Sequence, residues 1–343
     1  MGKQDIITKD YLNDPRIFAD AFNFYLYNGE PVINPQNLKP LDSSLTAIPY
    51  GDRKHPVTLQ KNRDVIKSFS GMRNEEAILL LLGVEAQSDI HYAMPVKDML
   101  YDSMQYAGQV TGTARLHREK TSGEKNPSSG EFLSGFYKED KLIPVITLVI
   151  YFGPDKWDGP MSLHEMLLTT DQQLLSHIPD YKINLITPDA LEEEAFEKFH
   201  TSFREVLKFI KYSKDKEKLK SLTESDPHFR HIEKEAYHVI SAMTGVEVNL
   251  KESEEYIDMC QAIREMCEDA KQEGFASGQK EGFASGQKEG FISGQKEGFA
   301  SGQKQAVKIL RLLNQKAFSY EEIAALADTS VEQVKSVERD YTS

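Results

Sequence analysis

A short, almost unbroken apolar run gives the clearest structural prediction in this sequence. It reads AILLLLGV over residues 77–84 and is followed at once by Glu85, Ala86 and Gln87. A short apolar run bounded by polar residues is typical of a buried strand whose polar side chains lie where the strand emerges. Because side chains alternate along a strand, we expect Glu85 and Gln87 to lie on the same side.

A second strand is predicted just upstream, over residues 63–69, and the segment 71–75 between the two is rich in turn-forming residues. If the two strands pair as a hairpin, Asp64 near the start of the first lies across from Glu85 near the end of the second. Carboxylate oxygens are hard ligands, so two carboxylates placed in this way are suited to hold a divalent metal ion.

The N-terminal region predicts an amphipathic helix. Asn13 and Asp14 precede Pro15, which suits a helix cap followed by proline at the first helical position. The apolar positions that follow have helical spacing and share one face: Ile17, Phe18, Ala21, Phe22, Tyr25 and Leu26. Asp20 lies off this stripe, and by pattern alone it reads as a solvated helix residue.

Further strands and helices alternate downstream. Residues 95–110 predict a helix that continues toward Glu119, with Val96, Met99, Leu100, Ser103 and Ala107 on its apolar stripe. Residues 142–152, rich in β-branched side chains, and 183–187 predict strands, a short strand is predicted at 45–48, and 121–130 reads as a loop. From residue 191 the pattern becomes helical. We therefore predict an α/β fold with a mixed sheet, the hairpin first, flanked by helices.

An octapeptide repeat occupies residues 273–303. The sequence EGFASGQK recurs from 273, 281, 289 and 297, with one change, Ile292 in place of alanine. Its eight glycines would cost a helix about 8 kcal/mol relative to alanine. Glutamate and lysine nevertheless recur at helix-compatible spacing, and small residues every four positions would allow two helices to approach closely. A flexible spacer or weak helix and a self-associating helix both remain open.

The last forty residues predict a small helical tail over 304–343. A short helix at 320–327, a turn and another helix from 330 have the form of a helix-turn-helix, in which the second helix can enter the DNA major groove. This stretch contains six lysine and arginine residues and six acidic residues, so its composition gives it no excess of positive charge. DNA binding and a helical dimerisation or packing module are both retained.

Composition restricts the classes of function. The net charge of −13 argues against a general affinity for nucleic acid, so such a function must rest on a local surface or on metal ions. No segment has the length and apolarity of a membrane span or secretory signal, which predicts a cytoplasmic protein without membrane contact. Cys260 and Cys267 are seven residues apart in a helical segment and are expected to stay reduced. We divide the chain at 1–190, 191–272, 273–303 and 304–343.

The combination of Asp64, then about twenty residues, then Glu85-x-Gln87 on a strand resembles the core of PD-(D/E)xK nucleases, which share the restriction-endonuclease-like fold. More specifically, the chain resembles the recombination-promoting nuclease (Rpn) family, also described as YhgA-like putative transposases. The resembling segments are residues 18–23, 63–65, 83–87, 94–96 with Tyr101 and Tyr106, and 142–153.

The resemblance implies a DNA endonuclease that depends on Mg²⁺ or Mn²⁺. Asp64 and Glu85 would be metal ligands with Asp20 as a third acid, and the carbonyl of Ala86 could complete the coordination. Gln87 stands where many such enzymes have lysine, and glutamine can orient water but supplies no positive charge.

Two lysines could replace the missing charge. Lys67 should face away from Asp64, whereas Lys97 on the following helix is better placed, with Tyr101 and Gln105 along the same groove. The alternatives are a catalytically inactive relative and a regulatory protein that binds DNA through its tail; a homo-oligomer formed through the repeat or tail is a further expectation.

Overall fold

The computed structural model describes residues 2–42, 44–47, 59–119, 127–247 and 255–342. The helices are α1 (Lys3–Asn13), α2 (Pro15–Tyr27), α3 (Met94–Glu119), α4 (Ser129–Ser134), α5 (Gln172–Leu175), α6 (Glu193–Phe196), α7 (Phe203–Tyr212), α8 (Lys216–Ser225), α9 (Lys234–Thr244), α10 (Met259–Asn314), α11 (Tyr320–Ala327) and α12 (Val331–Thr342). The strands are β1 (Leu38–Pro40), β2 (Ser44–Ala47), β3 (Leu59–Asn62), β4 (Val65–Arg73), β5 (Glu76–Gln87), β6 (Val145–Tyr151), β7 (Asn184–Ile186), β8 (Ile232–Glu233) and β9 (Tyr256–Ile257).

A five-stranded mixed sheet in the order β1-β4-β5-β6-β7 lies at the centre of the first unit, Met1–Arg264. The pairs β1–β4 and β4–β5 are antiparallel, while β5–β6 and β6–β7 are parallel. This arrangement confirms the predicted α/β class, a mixed sheet flanked by helices. The hairpin β4–β5 is not the first element of the sheet as expected, because β1 precedes it. β1 was not predicted, because its proline-rich surroundings disfavour regular structure; the predicted strand at 45–48 corresponds to β2, and Ile48 lies outside the described residues, as does most of the predicted 121–130 loop.

The β4–β5 hairpin fixes the position of the acids. Asn74 and Glu75 form its two-residue turn, both with positive φ (52° and 68°), the conformation that suits the twist of a tight hairpin. The register runs to the pair Val65–Val84, so Asp64, one residue before β4, falls opposite Glu85. The predicted pairing of the two strands is confirmed.

The two faces of the sheet bury different layers. Alternate residues such as Leu82, Val84, Leu148 and Ile150 join the main core with α1, α2, α7 and α9. The residues between them face α3, where Val149 and Tyr151 pack with Met94 and Trp157. Glu85 and Gly83 therefore lie on the α3 side. The helices that follow residue 191 contribute Phe196, Phe203 and Val206 to the main core.

The buried face of α3 differs from the predicted apolar stripe. Val96 is 39% exposed, whereas Asp98, Tyr101 and Asp102 are buried. The predicted stripe was wrong because the sheet beneath α3 presents polar groups, Arg63, Glu85 and Thr147, which are themselves buried. Part of this polar surface is paired with α3, since Arg63 and Thr147 both bond Asp102.

The second unit, Glu265–Ser343, begins within α10. This helix runs through all four repeat copies, and its four repeat phenylalanines are 68–75% exposed. At its far end Ile309 packs with Ile323 and Ala327 of α11 and with Val334 of α12. The predicted helix, turn and helix of the tail thus exist as a small three-helix cluster. Among the helices of the described part of the chain, none has the length and hydropathy to cross a membrane.

Candidate active site

Glu85 is the most deeply buried of the predicted site residues. Its side chain is 1% exposed, and its Oε2 lies 2.9 Å from the Nζ of Lys97 on α3. Its Oε1 has no hydrogen-bond partner among the described residues. Burial raises the pKa of Glu85 to about 7, the ammonium of Lys97 opposes this, and the charge of Asp64 adds to it. Glu85 thus offers an unused carboxylate oxygen inside the protein.

Asp64 lies beside Glu85 at the end of the hairpin. Its Oδ2 accepts a hydrogen bond of 3.0 Å from the backbone N–H of Ala86, which ties the start of β4 to the end of β5. Burial raises the pKa of Asp64, while the Ala86 N–H and the charge of Lys97 lower it. Asp64 is half-buried, so it forms the more accessible side of the pair.

Lys97 supplies the positive charge of the site. Burial alone would lower its pKa, but the neighbouring Glu85, with a smaller contribution from Asp64, raises it overall. Its side chain is 26% exposed, and its ammonium lies 5.9 Å from the centre of the Tyr101 ring. Lys67 is placed as predicted: its Nζ donates to the carbonyl of Asn13 at 2.6 Å, on the other side of the sheet.

Gln87 is half-buried at the end of β5. Its side-chain Nε2 donates to the backbone carbonyl of Ala86 at 2.8 Å. The backbone carbonyl of Gln87 accepts a hydrogen bond from the backbone N–H of Phe152. The side chain therefore holds the Ala86 carbonyl that the sequence suggested as a further metal ligand.

Asp20 does not join the other acids. It is buried, and its carboxylate accepts hydrogen bonds from the backbone N–H groups of His200 and Thr201, each at 3.0 Å, and from the Thr201 hydroxyl at 2.6 Å. These donors lie in the loop just before α7, so Asp20 ties that loop to α2. The expectation of a solvated Asp20 was wrong, because the loop at His200 and Thr201 donates to its carboxylate and leaves it 4% exposed.

A buried polar network lies directly behind Glu85. The Nη2 of Arg63, a fully buried residue, donates to Asp102 Oδ1 at 2.5 Å and to Thr147 Oγ1 at 2.6 Å. The hydroxyl of Tyr181 donates to the other Asp102 oxygen at 2.6 Å. Gly83 makes room for the guanidinium, since a Cβ there would lie 2.1 Å from Arg63 Nη1.

Asp98 is the residue that sequence reasoning missed. It is fully buried on α3, and neither carboxylate oxygen has a hydrogen-bond partner in the part of the chain that is described. Burial raises its pKa to about 8, and the negative charge of Glu85 contributes. The sequence feature that could have revealed it is the spacing of Asp98, Tyr101 and Asp102, which places three polar side chains on one helix face.

The donor set suits a hard cation only in part. Asp64 and Glu85 offer carboxylate oxygens, and the unpaired Oε1 of Glu85 needs a positively charged or hydrogen-donating partner. Within the described ranges no three His, Cys, Asp or Glu side chains are arranged to hold a metal ion. Mg²⁺ is commonly held by one or two carboxylates, with water and substrate phosphate filling the other positions. The pair thus fits Mg²⁺ in that mode.

Comparison with known proteins identifies one family. Residues 130–237 match the family model described as "Putative transposase, YhgA-like". No curated protein and no solved structure matches the chain. The matched stretch begins after α3 and contains Thr147 and Tyr181, which, like Arg63, bond Asp102 behind the candidate site. The match agrees with the resemblance drawn from the sequence: residues 130–237 are similar to the YhgA-like putative transposases.

Proposed function

We propose that this protein is a metal-dependent endonuclease that hydrolyses phosphodiester bonds in DNA. The observation that carries the proposal is the pairing of Asp64 with Glu85 across the hairpin, where Glu85 keeps a buried carboxylate oxygen without a partner among the described residues. A chain with a net charge of −13 needs a local source of positive charge to hold a phosphodiester. A divalent ion together with Lys97 would supply it.

In this proposal Asp64 and Glu85 hold Mg²⁺ or Mn²⁺. Bound there, the ion would lower the pKa of a water molecule and offset the negative charge of the phosphate. Asp64 is the more accessible of the two acids and Glu85 lies behind it. Substrate would therefore approach from the side of Asp64 and Lys97.

Lys97 takes the electrostatic role that Gln87 cannot fill. Its ammonium already lies 2.9 Å from Glu85 and is partly exposed, so it can reach a phosphate oxygen bound next to that carboxylate. A lysine ammonium offers three donors and a compact charge. Gln87 acts as a positioning residue, since its amide fixes the Ala86 carbonyl between the two strands.

The test is cleavage of supercoiled plasmid by the purified full-length protein with Mg²⁺, with Mn²⁺ or with chelator. We expect nicking that requires the metal and is lost in Asp64→Ala and Glu85→Ala. Nicking that survives both substitutions would contradict the site. Absence of nicking by the wild type with either metal would favour the inactive relative.

A second candidate function, DNA binding by the tail, is favoured by one observation. Lys304, Lys308 and Arg311 lie on one side of α10, and the described residues beside them on that side, Ala300, Gln303 and Val307, carry no charge. The balanced charge of the tail is therefore unevenly distributed. Deletion of residues 304–343 should lower DNA affinity at fixed salt if this function holds, and unchanged affinity would exclude it.

A further inference from the structure

Several buried polar atoms near Glu85 have no hydrogen-bond partner among the described residues. Asp98 is 0% exposed, and both of its oxygens lack a hydrogen-bond partner among the described residues. Buried polar groups in folded proteins are almost always paired, and an exception calls for an unseen water or ion. Asp98 follows Lys97 directly on α3, so the same helix turn presents both groups to the sheet.

The unpaired atoms are concentrated in one place. Besides the two Asp98 oxygens, Glu85 Oε1 and the Nε and Nη1 of Arg63 are buried without partners in the described chain. Asp98 lies one helical turn before Asp102 on α3, and Arg63 bonds Asp102 and lies against Gly83, two residues before Glu85, so these groups lie together behind the hairpin.

The unpaired nitrogens carry three N–H groups and the unpaired oxygens are also three, so the hydrogen-bond count is balanced, but the charge is not. Four carboxylates, those of Asp64, Glu85, Asp98 and Asp102, act in this region against the two cations Lys97 and Arg63. A hydrated divalent cation would offset the excess negative charge and would also donate hydrogen bonds to the unpaired oxygens.

We infer that Asp98 is a third acid of the metal site and that it contacts the cation through water. This inference rests on the proposed function. Contact through water agrees with the absence, in the described ranges, of three side chains arranged to hold a metal directly. Mg²⁺ dehydrates reluctantly and usually keeps several of its waters, and Asp98 would accept hydrogen bonds from them.

The alternative third acid is Asp20, which the family resemblance implies. Its carboxylate is already engaged by three donors at the start of α7. Asp98 has no such competing partner in the described chain and lies in the same buried layer as Glu85. If Asp98 is the third acid, its substitution should weaken metal binding and substitution of Asp20 should not. If Asp20 is the third acid, the reverse is expected.

The experiment is a Mn²⁺ titration of the full-length protein, with free Mn²⁺ followed by electron paramagnetic resonance and without any nucleic acid. Wild type is compared with Asp98→Asn, Asp20→Asn and Glu85→Gln. Loss of a group that supports metal ligands indirectly commonly costs 10- to 100-fold in affinity. We expect a loss of about that size for Asp98→Asn, no change for Asp20→Asn and the largest loss for Glu85→Gln.

The possible results distinguish a failure of the inference about Asp98 from a failure of the proposed metal site. Wild-type affinity in Asp98→Asn, with Glu85→Gln impaired, would overturn the role of Asp98 alone. Absence of Mn²⁺ binding by the wild type would overturn the metal site itself. Thermal unfolding without metal provides the folding control: Asp98→Asn should melt no lower than the wild type, because it removes an uncompensated buried acid. A clearly lower melting temperature together with unchanged affinity would assign Asp98 a structural role.

Discussion

The ammonium of Lys97 on α3 lies 2.9 Å from the carboxylate of Glu85 on β5. A positive charge thus reaches the site from a helix, twelve residues after the glutamate, and not from position 87 of the same strand. Because Glu85 is almost completely buried, this ion pair works in surroundings where electrostatic interactions are strong.

Lys97→Met should lower the rate of plasmid nicking by about 100-fold, in the range seen when one preorganised electrostatic group is removed. Lys97→Arg keeps the charge and should retain part of the activity. The rates are measured at saturating metal, so that weaker metal binding does not enter. A Lys97→Met protein as active as the wild type would show that the ammonium has no part in cleavage.

Gly83→Ala should destabilise the protein although the substitution is small. The new Cβ would lie 2.1 Å from Arg63 Nη1, and Arg63 cannot move without losing its bonds to Asp102 and Thr147. Overpacking of this kind typically costs about 1–3 kcal/mol, which urea denaturation can measure. Gly108→Ala is the matched control, since a Cβ there meets no atom within 4 Å.

Asp20→Ala should lower the free energy of unfolding by about 2 kcal/mol, since hydrogen bonds to a charged group contribute about 1.5–3 kcal/mol. The reason is the loss of the hydrogen bonds by which Asp20 holds the loop before α7. Its nicking rate at a temperature where the protein is folded should equal that of the wild type. A stable but inactive Asp20→Ala protein would support Asp20 as a metal ligand instead.

Stability without metal should fall as pH rises from about 5 toward 8. The pKa of Glu85 is raised to about 7 and that of Asp98 to about 8, so the folded state binds more protons than the unfolded state in this interval. Unfolding free energy then decreases with increasing pH. Urea midpoints across this range test the slope, and Glu85→Gln should reduce it. A slope unchanged by Glu85→Gln would show that Glu85 does not titrate there.

The repeat helix should depend on association. Its eight glycines cost about 8 kcal/mol relative to alanine, and its four phenylalanines are exposed along α10. A peptide spanning residues 273–303 should therefore show little helix by circular dichroism when dilute and more as concentration rises. Helix content that does not vary with concentration would favour the spacer alternative.

The sequence was most informative where pattern and chemistry agreed. The apolar run before Glu85 predicted a buried strand, and period-two alternation with a turn placed Asp64 across from it. Both inferences rest on the spacing of apolar and polar residues within one short segment, which a single sequence shows completely. The buried face of α3 could not be predicted in this way, because its polar residues are buried against partners that are distant in the sequence. Arg63, which bonds Asp102, lies 39 residues before it.

Asp20 illustrates a second kind of limit. Its position on α2 was predicted, but its donors come from residues 180 and 181 positions later in the chain. No periodicity in one sequence links such distant segments. Lys97 was placed near the acids from the sequence because it begins the helix that directly follows β5.

The proposed metal-dependent cleavage depends on Glu85. The most direct measurement is the single-turnover nicking rate of Glu85→Gln beside wild type over a range of Mg²⁺ concentrations, with melting temperature confirming that both are folded. We expect a rate at least about 100-fold lower for the variant at every concentration. Equal rates for two folded proteins would contradict it.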